Sequence, residues 1–362
     1  MTIRLPWQGV EVPCAILDIL RGCNARCAYC LVKDAPRMKT FDEIKTDLDA
    51  LMKLRRLQSI MLSGGEPTLH PDLLEIIKLC AAHNLKVILL TNGVLLDETL
   101  AAKLKEAGCV MCFLHIQTHQ IRPDIKDPTD TSEVSALRYD KGVILRRAGI
   151  IAGFCETLQA SDKDGIGNTL DDYFSDGNFT HLLITTARSM ADFDKHNEMD
   201  DVAITELVSR FRRKNLVPFA TLSGKINTRQ PRWFSFHVVE AVRPDGSVRK
   251  RSSLKASIGE CAVMWLRRRS IGHYEFVMPE MTSAKLRMRL FLNAITRLSP
   301  SVLFFALETY LKGETLRFRN VALETPPYRI PDGRIEHCAD CPGAVLKGGH
   351  LKPLCLVDIG DP

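Results

Sequence analysis

The sequence predicts an α/β fold, a partial (β/α)6 barrel followed by a smaller cysteine-rich module. Over the first 230 residues, short apolar runs alternate with amphipathic segments, which is the pattern of repeated βα units. Such units build a parallel sheet with crossover helices. After about residue 230 the pattern changes, and the last segment is rich in Pro, Gly and Cys. The 362 residues, 45% hydrophobic and 25% charged, suffice for one large domain and a smaller one.

Each predicted strand is a short apolar run, and amphipathic segments separate the runs. Cys14–Leu20 is the first strand, and Thr40 and Glu43 have capping-box spacing ahead of the first helix. About six βα units fit before residue 230, so we expect an open, TIM-like barrel rather than a complete eight-stranded one. The later strands are predicted at Ile60–Ser63, Val87–Thr91, Val110–Ile116, Ile151–Leu158, His181–Thr186 and Val217–Leu222, and helices at Asp72–His83, Asp97–Ala107 and Glu133–Ala148.

These patterns divide the chain into three segments. Residues 1–230 form the barrel, residues 231–325 connect, and residues 326–362 form a loop-rich module held together by metal. We expect the connecting segment to contribute to substrate binding. It comprises a hairpin at Trp233–Val242 and Gly246–Arg249, and a helical stretch at Ser283–Lys312 that is interrupted at Pro300.

Composition narrows the location and the partners. No run approaches the roughly 18 apolar residues of a membrane-spanning helix, and the first residues lack the apolar core of a signal peptide. The expected location is therefore the cytoplasm, with the membrane surface as an alternative. The net charge of +6 is concentrated between Arg243 and Arg289. Such a patch suits nucleic acid, anionic lipid headgroups or a phosphorylated substrate, and a solvated basic face is an equal interpretation. Of these partners, nucleic acid is not the one we expect.

Three of the twelve cysteines lie close together near the N-terminus. The run RGCNARCAYC places Cys23, Cys27 and Cys30 in a C-x3-C-x2-C pattern. In a reducing compartment, clustered cysteines indicate metal binding or catalysis. Thiolates are suited to iron–sulfur clusters or zinc, and three on one loop leave the fourth iron of a cubane open. A zinc site or chance remains the alternative until context decides.

A second motif follows the second predicted strand, with Gly64, Gly65 and Glu66 between a serine and a proline. Glycines let a ligand approach the backbone, and the glutamate could accept a hydrogen bond from an ammonium group. Alone, the run is an ordinary turn. Chemistry in such barrels collects at the carboxyl ends of the strands. The polar residues at the ends of the third and fourth strands are Thr91, Asn92, His115 and Gln117, and they are candidates for ligand contact. For His115, His119 and Arg122, a solvated loop without a ligand is an equal interpretation.

The two motifs together resemble those of the radical S-adenosylmethionine (SAM) superfamily, over roughly residues 14–220. The resemblance implies an enzyme in which the triad binds a [4Fe–4S] cluster, and the amine and carboxylate of SAM chelate its unique iron. Reduction by a donor such as flavodoxin or ferredoxin then yields a 5′-deoxyadenosyl radical, which abstracts hydrogen from an unactivated substrate carbon. The implied SAM contacts are Tyr29 at the adenine, Gly64, Gly65 and Glu66 at the methionyl amine, and Thr91, Asn92, His115 and Gln117 along the rim.

A second group of cysteines lies near the C-terminus, where Cys338, Cys341 and Cys355 have C-x2-C-x13-C spacing. Three thiolates in the company of the N-terminal triad favour an auxiliary [4Fe–4S] cluster over a zinc knuckle. The candidates for its fourth ligand are Cys261, His337, His350 and a substrate atom. The remaining cysteines are expected to be small core residues, namely Cys14, Cys80, Cys109, Cys112 and Cys155.

The C-terminal spacing resembles the short auxiliary-cluster (twitch) domain of the molybdenum-cofactor GTP cyclases. The loop after Cys341 lacks the arginines that hold the nucleotide there, and the tail ends in Gly-Asp-Pro, so the GTP reaction is not expected. The segment from Gly343 to Asp358 is also similar to the tetraether and membrane-spanning lipid synthases, which join hydrocarbon chains.

We therefore expect a lipid-modifying radical enzyme that forms C–C bonds. The alternatives are a peptide- or cofactor-maturing radical enzyme and a non-catalytic iron–sulfur or zinc protein. A basic, apolar helical pair would suit a membrane surface or an acyl chain, although a core helix with a solvated face is the plainer interpretation. This pair contains Lys285, Arg287, Arg289 and Arg297, beside Leu290–Leu292 and Val302–Leu307.

Overall fold

The architecture is one large mixed sheet with helices packed along it, in a computed structural model that describes residues 2–27, 30, 36–158, 165–186, 199–277 and 281–357. The strands are β1 (Ile3–Arg4), β2 (Cys14–Leu20), β3 (Arg26–Cys27), β4 (Ser59–Gly64), β5 (Lys86–Thr91), β6 (Cys109–Leu114), β7 (Gln120–Ile121), β8 (Ile151–Leu158), β9 (Phe179–Thr186), β10 (Ala220–Ser223), β11 (Pro231–Val242), β12 (Val248–Leu254), β13 (Thr315–Glu324), β14 (Tyr328–Arg329), β15 (Ile335–Glu336), β16 (Ala344–Lys347) and β17 (His350–Pro353). The helices are α1 (Phe41–Leu54), α2 (Leu73–Ala82), α3 (Glu98–Ala107), α4 (Thr131–Arg147), α5 (Gly165–Ser175), α6 (Met199–Arg213), α7 (Ile258–Ile271), α8 (Ser283–Arg297) and α9 (Pro300–Leu311).

Six parallel strands, in the order β2-β4-β5-β6-β8-β9, form the predicted partial barrel. A helix follows each of these strands in the chain, as repeated βα units require. The first helix begins with the predicted capping box of Thr40 and Glu43, and α3 ends at Gly108, whose φ of 108° is left-handed. The α/β barrel class is confirmed, and all six strands run in the same direction.

The sheet continues beyond the six predicted units. Strand β13 adds to β9 in parallel, β11 pairs antiparallel with β13, and β10 and β1 complete that side. The predicted hairpin is β11 and β12, and Pro300 opens α9 directly after α8. The segment boundary at residue 230 remains a prediction, because β11 pairs across it with β10.

The C-terminal module occupies the open side of the barrel, between β2 and β10. The backbone amide of Ala339 donates to the carbonyl of Ser223 at the end of β10. On the other side, one guanidinium of Arg55 donates to the carbonyls of both Cys14, in β2, and Cys341. The module thereby closes the space that six βα units leave open, and it brings its cysteines to the barrel interior.

Candidate active site

One cavity of about 870 Å³ runs through the interior of the barrel, and most of its lining is apolar. Its wall includes strand residues that point inward, among them Met61, Met111 and Phe113. Both predicted cysteine groups also lie on this wall: Cys23, Cys27, Cys30, Cys338, Cys341 and Cys355. Two motifs separated by three hundred residues of chain therefore share a single chamber.

The N-terminal triad is held by a short pairing between β3 and β7 and by amide donors aimed at sulfur. The side-chain amide of Gln120 lies 3.4 Å from the Sγ atom of Cys27, and that of Asn92 lies 3.6 Å from Sγ of Cys23. Burial raises the pKa of the Cys27 thiol to about 11, and the nearby charges of Cys30 and Cys23 add to this effect. A thiol with a raised pKa becomes a thiolate when a bound metal supplies positive charge.

The two glycines of the second motif are required by backbone packing. A Cβ atom on Gly65 would lie 2.1 Å from the carbonyl oxygen of Gly22, and one on Gly64 would lie 2.0 Å from that of Leu20. The amide of Gly65 also donates to the Leu20 carbonyl at 2.7 Å. The glycines therefore let the turn after β4 dock on the loop that leads to the triad.

Glu66 lies behind the cavity wall, fully buried, with both carboxylate oxygens engaged by protein donors. Its Oε1 accepts from Thr91 Oγ1 at 2.7 Å and from the Thr68 amide and hydroxyl, and Oε2 accepts from the Asn92 amide at 2.6 Å. Thr91 and Asn92 both line the cavity. The expected contact between Glu66 and a bound ammonium group stays a prediction. In the structure, the Glu66 carboxylate fixes the end of β5 through Thr91 and Asn92.

The buried guanidinium of Arg122 holds the two residues, Asn92 and Gln120, whose amides approach the sulfur atoms of the triad. Arg122 donates to the backbone carbonyl of Asn92 at 2.9 Å and to Oε1 of Gln120 at 3.2 Å, and it pairs with Asp124. Its side chain is fully buried, so the solvated-loop interpretation is wrong for this residue, whereas His119 is exposed. Sequence reasoning missed Gln120, and the polar run after β6 was the only signal of this arrangement.

The other predicted rim residues divide into two groups. His115 lines the cavity, and burial lowers its pKa to about 4, so its imidazole is neutral near pH 7. Gln117 is buried away from the cavity, and its Oε1 accepts from the backbone amide of Thr157 at 2.6 Å. This hydrogen bond holds the backbone of Thr157, which does line the cavity, and the expected contact between Gln117 and SAM stays a prediction. Tyr29 lies outside the described residues.

The three C-terminal thiols line the cavity, where Cys338 and Cys341 are buried and Cys355 is partly buried. Burial raises the pKa of Cys341 to about 12 and those of Cys338 and Cys355 well above the usual range, and the charges of neighbouring thiols and of Glu324 add to this. Among the described residues, no three His, Cys, Asp or Glu side chains converge as the ligands of a single metal ion do.

Four of the five cysteines expected in the core are there, and the fifth is not. Cys14, Cys80, Cys109 and Cys112 are buried. Cys155 instead lines the cavity from β8, because its position in the strand points inward. It belongs to the chamber and not to the core.

The fold and the site define a class: an open α/β barrel with a three-thiol loop at the carboxyl ends of its strands. The chain carries a domain of the radical SAM superfamily, whose family model matches residues 17–155. The cofactors of that family are a [4Fe–4S] cluster and SAM. The residues present fit them, since the triad offers three sulfur ligands beside an interior cavity, with amide donors directed at two of the sulfurs.

Several known proteins are similar to parts of this chain. The GTP 3′,8-cyclase of Chlorobaculum tepidum is 42% identical over 104 residues, which is 28% of this chain and 31% of that protein. The mycofactocin maturase MftC of Mycobacterium ulcerans is 31% identical over 28% of this chain and 29% of that protein. The chain thus spans less than a third of the length of these two relatives. Streptococcus suis SuiB bound to S-adenosylmethionine matches with a TM-score of 0.43 and 14% identity, over 57% of this chain and 49% of SuiB.

Proposed function

We propose that this protein is a radical SAM enzyme whose N-terminal triad, Cys23, Cys27 and Cys30, holds a [4Fe–4S] cluster with one iron open to SAM. When bound, the reduced cluster supplies the electron that cleaves SAM to methionine and a 5′-deoxyadenosyl radical, which takes hydrogen from a substrate carbon. The observation that carries the proposal is the triad itself, supported by Gln120 and Asn92 and facing an interior cavity within a radical SAM domain.

The residues around the cavity have two tasks in this proposal. Amide donors from Asn92 and Gln120 stabilise negative charge on the cluster sulfurs, which is one way a protein sets a cluster's reduction potential. The apolar walls exclude water and other hydrogen donors from a primary carbon radical. The cofactor supplies the reactive chemistry, and the barrel aligns the substrate carbon with it.

For the substrate, we propose a compact cofactor precursor or a residue of a peptide. The names of the relatives point that way: a GTP cyclase, a mycofactocin maturase and the Fe-coproporphyrin III synthase of Methanosarcina barkeri, which is 32% identical over 29% of this chain. Small-molecule pockets span about 300–1,000 Å³. A chamber of about 870 Å³ is therefore large enough for SAM beside a compact substrate. An external one-electron donor such as flavodoxin or ferredoxin completes the scheme.

A lipid substrate is the second candidate, and one observation favours it. Several large apolar residues of α7–α9 are exposed, including Trp265, Phe304 and Leu311. Met288 on α8 is 70% exposed and also lines the cavity, so this apolar face adjoins the chamber. The guanidinium of Arg269 lies over the ring of Trp265, as in interfacial segments. No helix in the described part of the chain is long and apolar enough to cross a bilayer.

The arginines of α8 give less support to membrane contact than the sequence indicated, because they bind other parts of the chain. Arg289 pairs with Glu260, and Arg287 and Arg297 donate to the backbone carbonyls of Glu314 and Ala256. These guanidinium groups face the chain rather than solvent. Peripheral membrane contact remains a proposal that rests on the apolar face alone.

We also propose that Cys338, Cys341 and Cys355 bind an auxiliary [4Fe–4S] cluster. The three thiols line the same chamber as the triad, and their charges act on one another. A buried thiol remains protonated unless a metal binds it. We therefore interpret three such thiols on one cavity wall as the ligands of a metal centre. A zinc knuckle is the competing occupant, and metal analysis of the isolated protein distinguishes the two.

The test is turnover of anaerobically reconstituted protein with dithionite and SAM. We expect 5′-deoxyadenosine and methionine, and loss of both products in the Cys23→Ala, Cys27→Ala, Cys30→Ala variant. Cys261→Ala is the matched control, because this partly buried thiol lies outside the cavity wall. Peptides, porphyrin precursors and phospholipid vesicles are then compared for stimulation of turnover. Zinc at the triad, or no 5′-deoxyadenosine, would overturn the proposal.

A further inference from the structure

Three polar side chains form a row across the inner face of the sheet, deep in the barrel. They belong to His181 in β9, Asn320 in β13 and His237 in β11, and all three line the cavity. Asn320 is the backbone partner of both histidines, so the side chains start from neighbouring strands about 5 Å apart. Glu324, four residues later, ends β13 at the rim where the strands have their carboxyl ends. The row therefore lies about 13 Å below the rim that carries the triad.

Neighbouring groups fix how two members of the row present their hydrogen atoms. The Ser235 hydroxyl donates to Oδ1 of Asn320 at 2.9 Å, which leaves the amide nitrogen of Asn320 for the chamber. Nη2 of Arg289 lies 3.3 Å from Nδ1 of His237. A guanidinium only donates, so this Nδ1 accepts and the imidazole carries its proton on Nε2. The His237 ring also stacks on Phe219, with centroids 3.9 Å apart, which holds its orientation.

The donors of this row meet no acceptor from the protein. Among the residues that the structure describes, no hydrogen bond reaches Nε2 of His237 or the side-chain nitrogen of Asn320. The same holds for Nε2 of His181, whose Nδ1 lies 2.9 Å from the Thr180 hydroxyl. His237 is only 4% exposed, so it faces the chamber and not bulk solvent. A buried donor without an acceptor costs about 1–3 kcal/mol, and a ligand oxygen placed here recovers that energy.

The charges around the row favour an uncharged acceptor. Burial within the barrel lowers the pKa of His181 to about 4 and that of His237 well below its usual range, so both imidazoles are neutral near pH 7. Arg289, the cation beside His237, is already paired with Glu260 at 2.8 Å. A ligand carboxylate would therefore enter the chamber without a net counter-charge, which is costly. A carbonyl oxygen accepts the same hydrogen bonds and brings no charge with it.

We propose that Asn320 and His237, with His181 beside them, bind the carbonyl oxygen of an uncharged amide group of the substrate. The inference deepens the proposed function and rests on it, since it takes the chamber as the place of the substrate. Nδ2 of Asn320 and Nε2 of His237 donate to the amide oxygen at one end of the chamber, and the triad lies at the other. An amide anchor favours a peptide substrate over an acyl chain, whose apolar tail would leave these donors unpaired.

The experiment follows His237 by NMR in anaerobically reconstituted, oxidised protein labelled with ¹⁵N-histidine. The probe is N-acetylalanine methylamide, a neutral diamide, and sodium propionate is the charged comparison. In the unaltered chain we expect the Nε2–H tautomer of His237, and a downfield shift of this proton with the diamide but not with propionate. The His237 signal is assigned by its absence from the His237→Phe variant.

Two variants remove one donor each, and binding is read from the signals of the diamide. Asn320→Asp keeps an oxygen for the Ser235 hydroxyl but places an acceptor where the amide nitrogen was. His237→Phe keeps an aromatic ring against Phe219 but loses the Nε2 donor. Each should weaken diamide binding by about tenfold. The matched control is His273→Phe, which changes a cavity-wall imidazole outside the row and should bind the diamide like the wild type.

Three results would overturn the inference: no response of His237 to the diamide, stronger binding of propionate than of the diamide, or equal diamide binding by the wild type and Asn320→Asp. The first two are measured on the unaltered chain, so they stand even where a variant does not fold. Formation of 5′-deoxyadenosine is measured separately on the same preparation. Its absence alongside intact diamide binding would count against the radical activity, and the reverse would count against the amide site alone.

Discussion

The side-chain amide of Gln120 lies 3.4 Å from the sulfur of Cys27, although the two residues are 93 apart in sequence. The contact exists because β7 pairs with β3 and because Arg122 holds the carbonyl end of the same amide. The amide hydrogens are thereby directed at sulfur. A polar loop after the fourth barrel strand thus completes the surroundings of the N-terminal triad.

Replacing Gln120 by Leu should lower the reduction potential of the N-terminal cluster. A lost hydrogen bond to sulfur of about 1 kcal/mol corresponds to a shift on the order of 50 mV for one electron. Spectroelectrochemical titration measures the shift. His119→Ala on the same loop, an exposed residue, is the control. Equal potentials for Gln120→Leu and the wild type would refute the assigned role.

Gly65→Ala should abolish cluster binding at the triad. The new methyl group would collide with the backbone of Gly22, 2.1 Å away, and would displace the loop that carries Cys23. We expect a loss of about 3 kcal/mol in the free energy of unfolding and a fall in bound iron. Gly167→Ala is the matched control: its added methyl meets no atom within 4 Å, so a gain of about 0.5 to 1 kcal/mol is expected in helix α5.

Glu66→Gln tests the buried carboxylate that links the turn after β4 to the end of β5. The Thr91 hydroxyl, the Thr68 hydroxyl and the Asn92 backbone amide all donate hydrogen bonds to the Glu66 carboxylate. In the glutamine variant, the side-chain NH2 group would face one of these donors and could not accept its hydrogen bond. The free energy of unfolding should fall by about 2 kcal/mol, and SAM affinity should fall with it. Denaturant titration and isothermal calorimetry measure the two effects. Glu75→Gln on an exposed helix face should change stability by less than about 0.5 kcal/mol.

Asp124 should make stability depend on pH. Burial alone would raise its pKa, but the hydrogen bonds and charge of Arg122 outweigh burial and lower it. A depressed pKa means that the ionised form stabilises the fold above the unfolded value of about 3.9, and that this contribution is lost as pH falls through the folded value. Asp124→Asn should therefore be less stable than the wild type at pH 7, and the gap should narrow toward pH 3. A gap that is constant with pH would contradict this account.

Local signals in the sequence predicted most of the barrel. Strand β8 was placed at its observed bounds, Ile151–Leu158, from the apolar run that begins at Ile151. The end of α3 followed from Gly108, and the start of α9 from Pro300. In each case the determining residues are neighbours in the chain.

Strand β13 was missed because its pattern depends on a distant partner. Arg317 and Arg319 interrupt the apolar run, and in the structure both approach Glu240 of β11. The side chains of Arg319 and Glu240 are fully buried, which a single segment does not reveal. Glu324, the last residue of the same strand, lines the cavity and was missed as well.

The most direct test of the central claim is the EPR spectrum of the reduced N-terminal cluster, recorded with and without SAM. The Cys338→Ala, Cys341→Ala, Cys355→Ala variant keeps the signal to one cluster. An iron without a protein ligand binds SAM, so the account predicts a changed spectrum when SAM is added and 5′-deoxyadenosine on turnover. An unchanged spectrum from a fully ligated cluster, or zinc in place of iron, would contradict it.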